Sequence, residues 1–316
     1  MGEADDLMKD GAKALTKTSF FGKAKPDYDD ALNSFEQAAN LYRNDRQYAR
    51  AAEALQQAAE CHRNLNSMFL AAKALETAAN VLSQNMNDPQ RAGTVYQQAS
   101  QYFLVQGSPD RAGEMLEKAA KAFETVDASK AIEYYTESCT LYEEEDRLRF
   151  GVDTFKRAIG FCLRSSKLDQ AIALSIRLES AYLKIDNQPL YNRQALTNVI
   201  LFLSKGDQSA AQRQYEMSLQ KNNRFEQTEE GQVTQDLLTA CQTGDTGIFE
   251  GMQRSPAIRF LDNDVGKLFK NVVTDLSQAA PQGGHFASNE GNNNEHASGA
   301  QDLRNLQDEV EEEGFL

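Results

Sequence analysis

The sequence is poor in the residues that most often carry chemistry. Its 316 residues include three histidines, four cysteines and no tryptophan. His285 and His296 lie in a polar segment near the C-terminus, and His62 lies on a helical stripe where equivalent segments carry an aromatic. That scatter supplies neither a metal cluster nor a general-base constellation. Cys61, Cys139, Cys162 and Cys241 show no CxxC spacing, which leaves out a zinc site and points to a reducing, cytosolic compartment. The longest apolar run, Val199 to Leu203, is far short of the roughly twenty residues of a membrane span. Glu3, Asp5 and Asp6 argue against a signal or transit peptide at the N-terminus, and no Asn-x-Ser/Thr acceptor occurs. Glycine-rich phosphate loops are missing too. Asp262-Asn263-Asp264 starts like a calcium loop, but Gly266 comes one residue early and Val273 stands where that loop needs Glu. It reads as a helix cap or turn. These absences predict no cofactor, no metal and no catalytic activity. A pI near 4.8 and a basic segment without interleaved aromatics argue against nucleic acid.

What is present is a repeat. Ala31-Phe35-Ala38-Ala39-Tyr42 sets a stencil with offsets of 0, 4, 7, 8 and 11, which fall on one stripe of an α-helix. It returns at Ala51-Leu55-Ala58-Ala59, Ala71-Leu75-Ala78-Ala79-Leu82, Ala92-Tyr96-Ala99-Ser100-Phe103, Ala112-Leu116-Ala119-Ala120-Phe123 and Ala131-Tyr135-Ser138-Cys139-Tyr142. Weaker copies follow at Gly151-Phe155-Ala158-Ile159-Cys162, Ala171-Leu178-Tyr182 and Tyr191-Ala195-Val199-Phe202. A period of about twenty residues holds one helix and a short turn, so successive helices run antiparallel and two periods make one hairpin repeat. No single stripe buries itself, so stacking supplies the core. The expectation is an all-α, right-handed superhelical solenoid of antiparallel hairpins, tetratricopeptide-like, with a C-terminal helical cap. Gly107 fits a helix C-terminus, and Pro89 and Pro109 fit helix starts.

Residues 1–222 read as the solenoid, opened by a helix over 4–17. Residues 223–277 leave the period and read as a closing bundle, with helices over 229–242 and 256–276. From 278 to 316 the Asn/Gly-rich composition reads as a disordered acidic tail. Net charge is −14 but segregated. Residues 281–316 carry eight acids against Arg304 alone, whereas residues 147–224 carry thirteen Lys or Arg against six acids.

Two features point to partners. Phe20 and Phe21, flanked by Lys23 and Lys25, are either core residues or a membrane-touching tip whose lysines meet anionic lipid. The C-terminus ends Asp308, Glu309, Val310, Glu311, Glu312, Glu313, Gly314, Phe315, Leu316, and two large apolar residues closing an acidic run suggest a docking end. Within the basic segment, Arg157 and Arg177 both fall at offset 6 of their stencils, off the buried stripe. Lys118 does so in its own repeat, and Arg164 shares the flank of Arg157. Lys156 falls on the other flank and ranks lower.

Several local motifs, taken in order, resemble one family. They are Lys25-Pro26-Asp27-Tyr28-Asp29, Phe69-Leu70-Ala71-Ala72-Lys73-Ala74, Glu145-Asp146-Arg147-Leu148-Arg149, and Ser255-Pro256 with Leu261-Asp262-Asn263-Asp264. The chain resembles the soluble attachment proteins of the N-ethylmaleimide-sensitive fusion ATPase (NSF), in their gamma type. The resemblance implies a non-enzymatic adaptor, monomeric when free, cytoplasmic and peripheral to membranes. It would lie along a SNARE complex left after membrane fusion in vesicle transport and recruit the NSF hexamer to dismantle it. It would touch the membrane through Phe20 and Phe21, the acidic SNARE bundle through its basic segment (Arg157, Arg164 and Arg177) together with Lys118, and the ATPase through its C-terminal helices and acidic end (Asp308, Glu309, Glu311, Glu312, Glu313, Phe315 and Leu316). The competing reading is a generic helical-repeat scaffold that holds another peptide or complex in its groove.

Overall fold

A computed structural model describes residues 2–17, 22, 26–245 and 247–279. Among the described residues every regular element is a helix. The first, α1 (Glu3–Leu15), precedes ten helices at the expected spacing: α2 (Tyr28–Asn44), α3 (Tyr48–Asn64), α4 (Met68–Gln84), α5 (Pro89–Val105), α6 (Pro109–Phe123), α7 (Ala128–Glu144), α8 (Leu148–Arg164), α9 (Leu168–Lys184), α10 (Gln188–Ser204) and α11 (Gln208–Lys221). The closing helices are α12 (Glu229–Thr243), the unforeseen α13 (Gly247–Arg254), α14 (Pro256–Arg259) and α15 (Asn263–Ala279). The single helix expected over 256–276 is therefore two, parted at 260–262.

The stencil positions form the core. Ala31, Phe35, Ala38, Ala39 and Tyr42 are all buried, as are Cys139 and Cys162. The small residues let backbones approach, and large rings fill the space beside them. The closeness is measurable at Gly93, where a methyl group would stand 2.5 Å from the Phe123 ring. Burial raises the Cys162 thiol to about 11, which leaves it inert.

The turns repeat as faithfully as the helices. Arg46, Asn66, Asp146, Ser166 and Asp186 each hold a positive φ, as do Gly107 and Gly206 in their turns. The next residue donates its N–H five residues back, as from Gln47 to Tyr42 and from Lys167 to Cys162, both at 2.8 Å. This is the Schellman closure, which satisfies the last carbonyls of each helix. Asp27, Asp88, Asn187 and Asp207 cap the helices that follow them with their side chains.

From α1 to α14 each helix packs on the next, and helices two apart also meet, as α6 does with α8 and α7 with α9. From α1 to α11 the even-numbered helices thus form one layer and the odd-numbered helices the other. At the C-terminal end α12 and α15 pack on α10, and α15 also reaches α8. Leu196, Val199, Ile200 and Leu203 of α10 share one core with Leu237, Val265 and Phe269. The core therefore runs on past residue 222. Phe225 is its plug: its ring lies against Tyr191 and Tyr215, and a methyl group on Gly231 would strike the Phe225 carbonyl oxygen at 1.9 Å.

Candidate functional site

The four basic residues chosen by spacing do not fall on one surface. Lys118, Arg157 and Arg164 sit on α6 and α8, in the even layer. Arg177 sits on α9, in the odd layer. Equal stencil offsets place Arg157 and Arg177 alike on their helices, but the two helices belong to opposite layers.

All four have acidic partners within the chain. Lys118 Nζ donates to Glu76 Oε1 at 2.9 Å and lies 3.2 Å from Glu114. Arg157 donates to Glu117 Oε1 at 2.7 Å, and Arg164 to Asp264 Oδ2 at 3.0 Å. Arg177 grips Glu143 Oε2 at 2.6 Å and Thr140 Oγ1 at 2.8 Å, with its guanidinium 5.4 Å from the Phe155 ring centroid. Glu76 is the most crowded acid, accepting from Lys73 and Arg111 at 2.8 Å each as well as from Lys118. Burial alone would raise its carboxyl, but Lys73, Lys118 and Arg111 hold it down to about 2. Glu117 is likewise lowered: burial opposes ionisation, and Lys121, Thr154 and Arg157 outweigh it.

Two cations of α8 stand apart. Arg149 and Lys156 are exposed and have no ionic partner among the described residues. Lys156 joins Arg157 and Arg164 around a cleft of about 240 Å³ whose other wall carries Gln194, Asp262 and Asp264. Gly160 opens this cleft, since a methyl there would stand 3.1 Å from Arg164 Nη1. The spacing argument ranked Lys156 lower, yet it is the unpaired cation of the group. The partners of the others were legible in principle. Glu76 precedes Lys118 by 42 residues, Glu117 precedes Arg157 by 40 and Glu143 precedes Arg177 by 34, which is the distance to the next helix of the same layer.

Phe20, Phe21, Lys23 and Lys25 lie outside the described residues, as do Asp308, Glu309, Glu311, Glu312, Glu313, Phe315 and Leu316. The segment bearing the two phenylalanines joins α1 to the start of α2. On the edge formed by the starts of even helices, Phe69, Leu70 and Phe150 are exposed, together with Leu104 and Val105 at the end of α5. Residues 92–109 hold no charged side chain. Among the described residues no group of His, Cys, Asp and Glu is placed to hold a metal, and no helix is long and apolar enough to cross a membrane. His62 is buried against Glu36 at 3.3 Å.

The architecture defines a helical-hairpin repeat protein with a charged even-helix layer. The sequence profile of soluble NSF attachment protein, SNAP, matches residues 2–253, and the chain belongs to that family, whose members are non-enzymatic adaptors. It is 28% identical over 270 residues to the gamma-soluble NSF attachment protein of Dictyostelium discoideum, covering 85% of this chain and 82% of that protein. The gamma-soluble NSF attachment protein of Arabidopsis thaliana is 27% identical over 274 residues, covering 87% of this chain and 93% of that one. The solved structure of C. therm. Get4 aligns with a TM-score of 0.40 at 12% identity, over 88% of this chain and 90% of that one. The fold assignment rests on the helix packing described above.

Proposed function

We propose that this SNAP-family adaptor lays the even-helix layer, centred on α8, against the acidic surface of a SNARE complex and recruits the NSF hexamer for its disassembly. The observation that carries the placement is the exposed, unpartnered pair Arg149 and Lys156 beside Arg157 and Arg164 on one helix. An acidic four-helix bundle is the complementary surface, and such contacts favour fast, salt-sensitive association. The adaptor works as a monomer when free and sits peripherally at the membrane in the cytoplasm. Membrane contact falls to Phe20, Phe21, Lys23 and Lys25, with the exposed Phe69 and Leu70 as further apolar surface for it. The acidic end, Asp308 to Leu316, meets the basic face of the ATPase. Family membership favours this reading over a generic scaffold.

The test is reconstituted disassembly with residues 308–316 deleted. SNARE binding is expected to be kept, while ATPase recruitment and disassembly fall sharply. Full disassembly by the truncated chain would move ATPase recruitment to α12–α15 and leave the tail a solubilising segment.

A further inference from the structure

The even layer carries a row of carboxylates as well as cations, and the two are unequally exposed. The side chains of Glu76, Glu117 and Asp264 are 8%, 13% and 19% exposed. Their partners Lys118, Arg157 and Arg164 are 31%, 47% and 56% exposed. Each acid is less exposed than its base and sits on a neighbouring element: Glu76 on α4 and Glu117 on α6 lie one even helix before their partners, and Asp264 lies on the closing helix α15, which packs on α8. Each also serves a second cation, namely Lys73 and Arg111 for Glu76, Lys121 at 2.7 Å for Glu117 and Lys267 at 3.1 Å for Asp264. A partner approaching this layer therefore meets guanidinium and ammonium groups whose charge is already matched from below.

We infer that Glu117 is an affinity-setting residue, and Asp264 likewise toward Arg164: Glu117 competes with the carboxylates of an acidic helical partner for Arg157, so that binding here exchanges one ion pair for another. The inference rests on the proposed placement of the SNARE complex on α8. An exchange gains only the difference between two pairings, whereas neutralising a free cation gains a whole one. Arg149 and Lys156, which have no competing acid, then contribute more per residue than Arg157 or Arg164. Glu117 fits the competing role because Thr154 Oγ1 donates to its other oxygen, Oε2, at 2.8 Å. That bond anchors the carboxylate whether or not Arg157 stays.

The substitution that isolates the effect is Glu117→Gln, which keeps an acceptor for Thr154 and removes the charge. Equilibrium binding to a purified SNARE complex is expected to tighten by about fivefold at about 0.1 M salt, since the freed Arg157 and Lys121 now gain a full pairing. The dependence of affinity on salt is expected to steepen, a readout that a merely structural role would not move. Adding Arg157→Gln should remove the part of the gain that Arg157 carries, leaving only that of Lys121. A thermal melt of each variant excludes a folding defect, and Asp264→Asn, expected to tighten binding through Arg164, supplies the second arm if Glu117→Gln melts early. Lys156→Glu separates the two levels of argument. If Lys156→Glu weakens binding while the Gln and Asn variants bind as wild type or more weakly, internal competition is overturned and the placement on α8 stands. If Lys156→Glu changes nothing, the placement fails, and the inference falls with it.

Discussion

Glu76 shows how a single residue ties neighbouring helices of one layer together. It is almost fully buried on α4, yet its two oxygens accept from Lys73, Arg111 and Lys118, which spread over α4 and α6. Burying a lone carboxylate is costly, and three cations offset that cost. Against a free value of 4.5, its carboxyl is lowered to about 2. A carboxyl lowered by folding contributes stability above its unfolded value, and that stability is lost as pH falls toward the folded value. The window here runs from about 4.5 down to about 2. Discounted for the partly solvated cations, the contribution is about 1–2 kcal/mol. Glu76→Gln is expected to lower the melting temperature by a few degrees at pH 7, with the gap to wild type narrowing below about pH 4.5. A gap of constant size down to pH 3.5 would show that Glu76 is not titrating with folding.

At the scale of elements, the repeat was readable because its small pairs recur at helical offsets, and the structure buries those positions in helix after helix. The stencil fades where the packing changes. Nearly every side of α10 is buried, because α12 and α15 cover the face that earlier even helices leave open, and a helix with no exposed face has no stripe to read. What joins α9, α10 and α11 was not legible at all, since polar residues in a solenoid read as surface. Glu179 is fully buried and accepts from Asn198 Nδ2 and Gln214 Nε2 at 2.7 Å each and from Ser218 Oγ at 3.1 Å. Asn198 in turn accepts from the Ser175 hydroxyl, which accepts from Gln194 Nε2 at 2.6 Å. The nearest cation, Lys221, stands 3.9 Å away, so hydrogen bonds dominate the site. Glu179→Ala takes the carboxylate acceptor from the buried Asn198 and Gln214 amides, while Ser218 keeps the Gln214 carbonyl at 3.0 Å, and is expected to cost about 3–5 kcal/mol in urea unfolding. Glu179→Gln keeps an oxygen facing Asn198 and Gln214 and should cost about 1 kcal/mol. Equal losses in the two variants would mean that charge, and not the hydrogen-bond pattern, holds the three helices.

Across the whole molecule, the net charge of −14 conceals a basic middle, and the structure decides which of its cations can report on a partner. From spacing alone, the natural experiment is reversal of Arg157 and Arg164 to Glu. In the folded chain that double change sets a new acid against Glu117 and another against Asp264, straining the contacts that join α8 to α6 and α15. Lost binding would then mix lost recognition with a loosened solenoid. Arg149 and Lys156 carry no such debt. Reversing both to Glu changes two exposed positions with no ionic partner, so stability should shift by no more than about 0.5 kcal/mol each. Loss of two steering charges and gain of two repulsive ones should weaken SNARE-complex binding on the order of tenfold at low salt, mostly through slower association. The deficit should shrink as salt is raised, because exposed charges are screened beyond about 8 Å at physiological ionic strength. Arg213→Glu is the matched control, an exposed cation on α11 of the odd layer, also without an ionic partner among the described residues, and it should bind as wild type. If the control weakens binding as much as the paired reversal, bulk charge governs association. If only the control weakens it, the odd layer faces the SNARE complex and the exposed face of α8 is merely solvated.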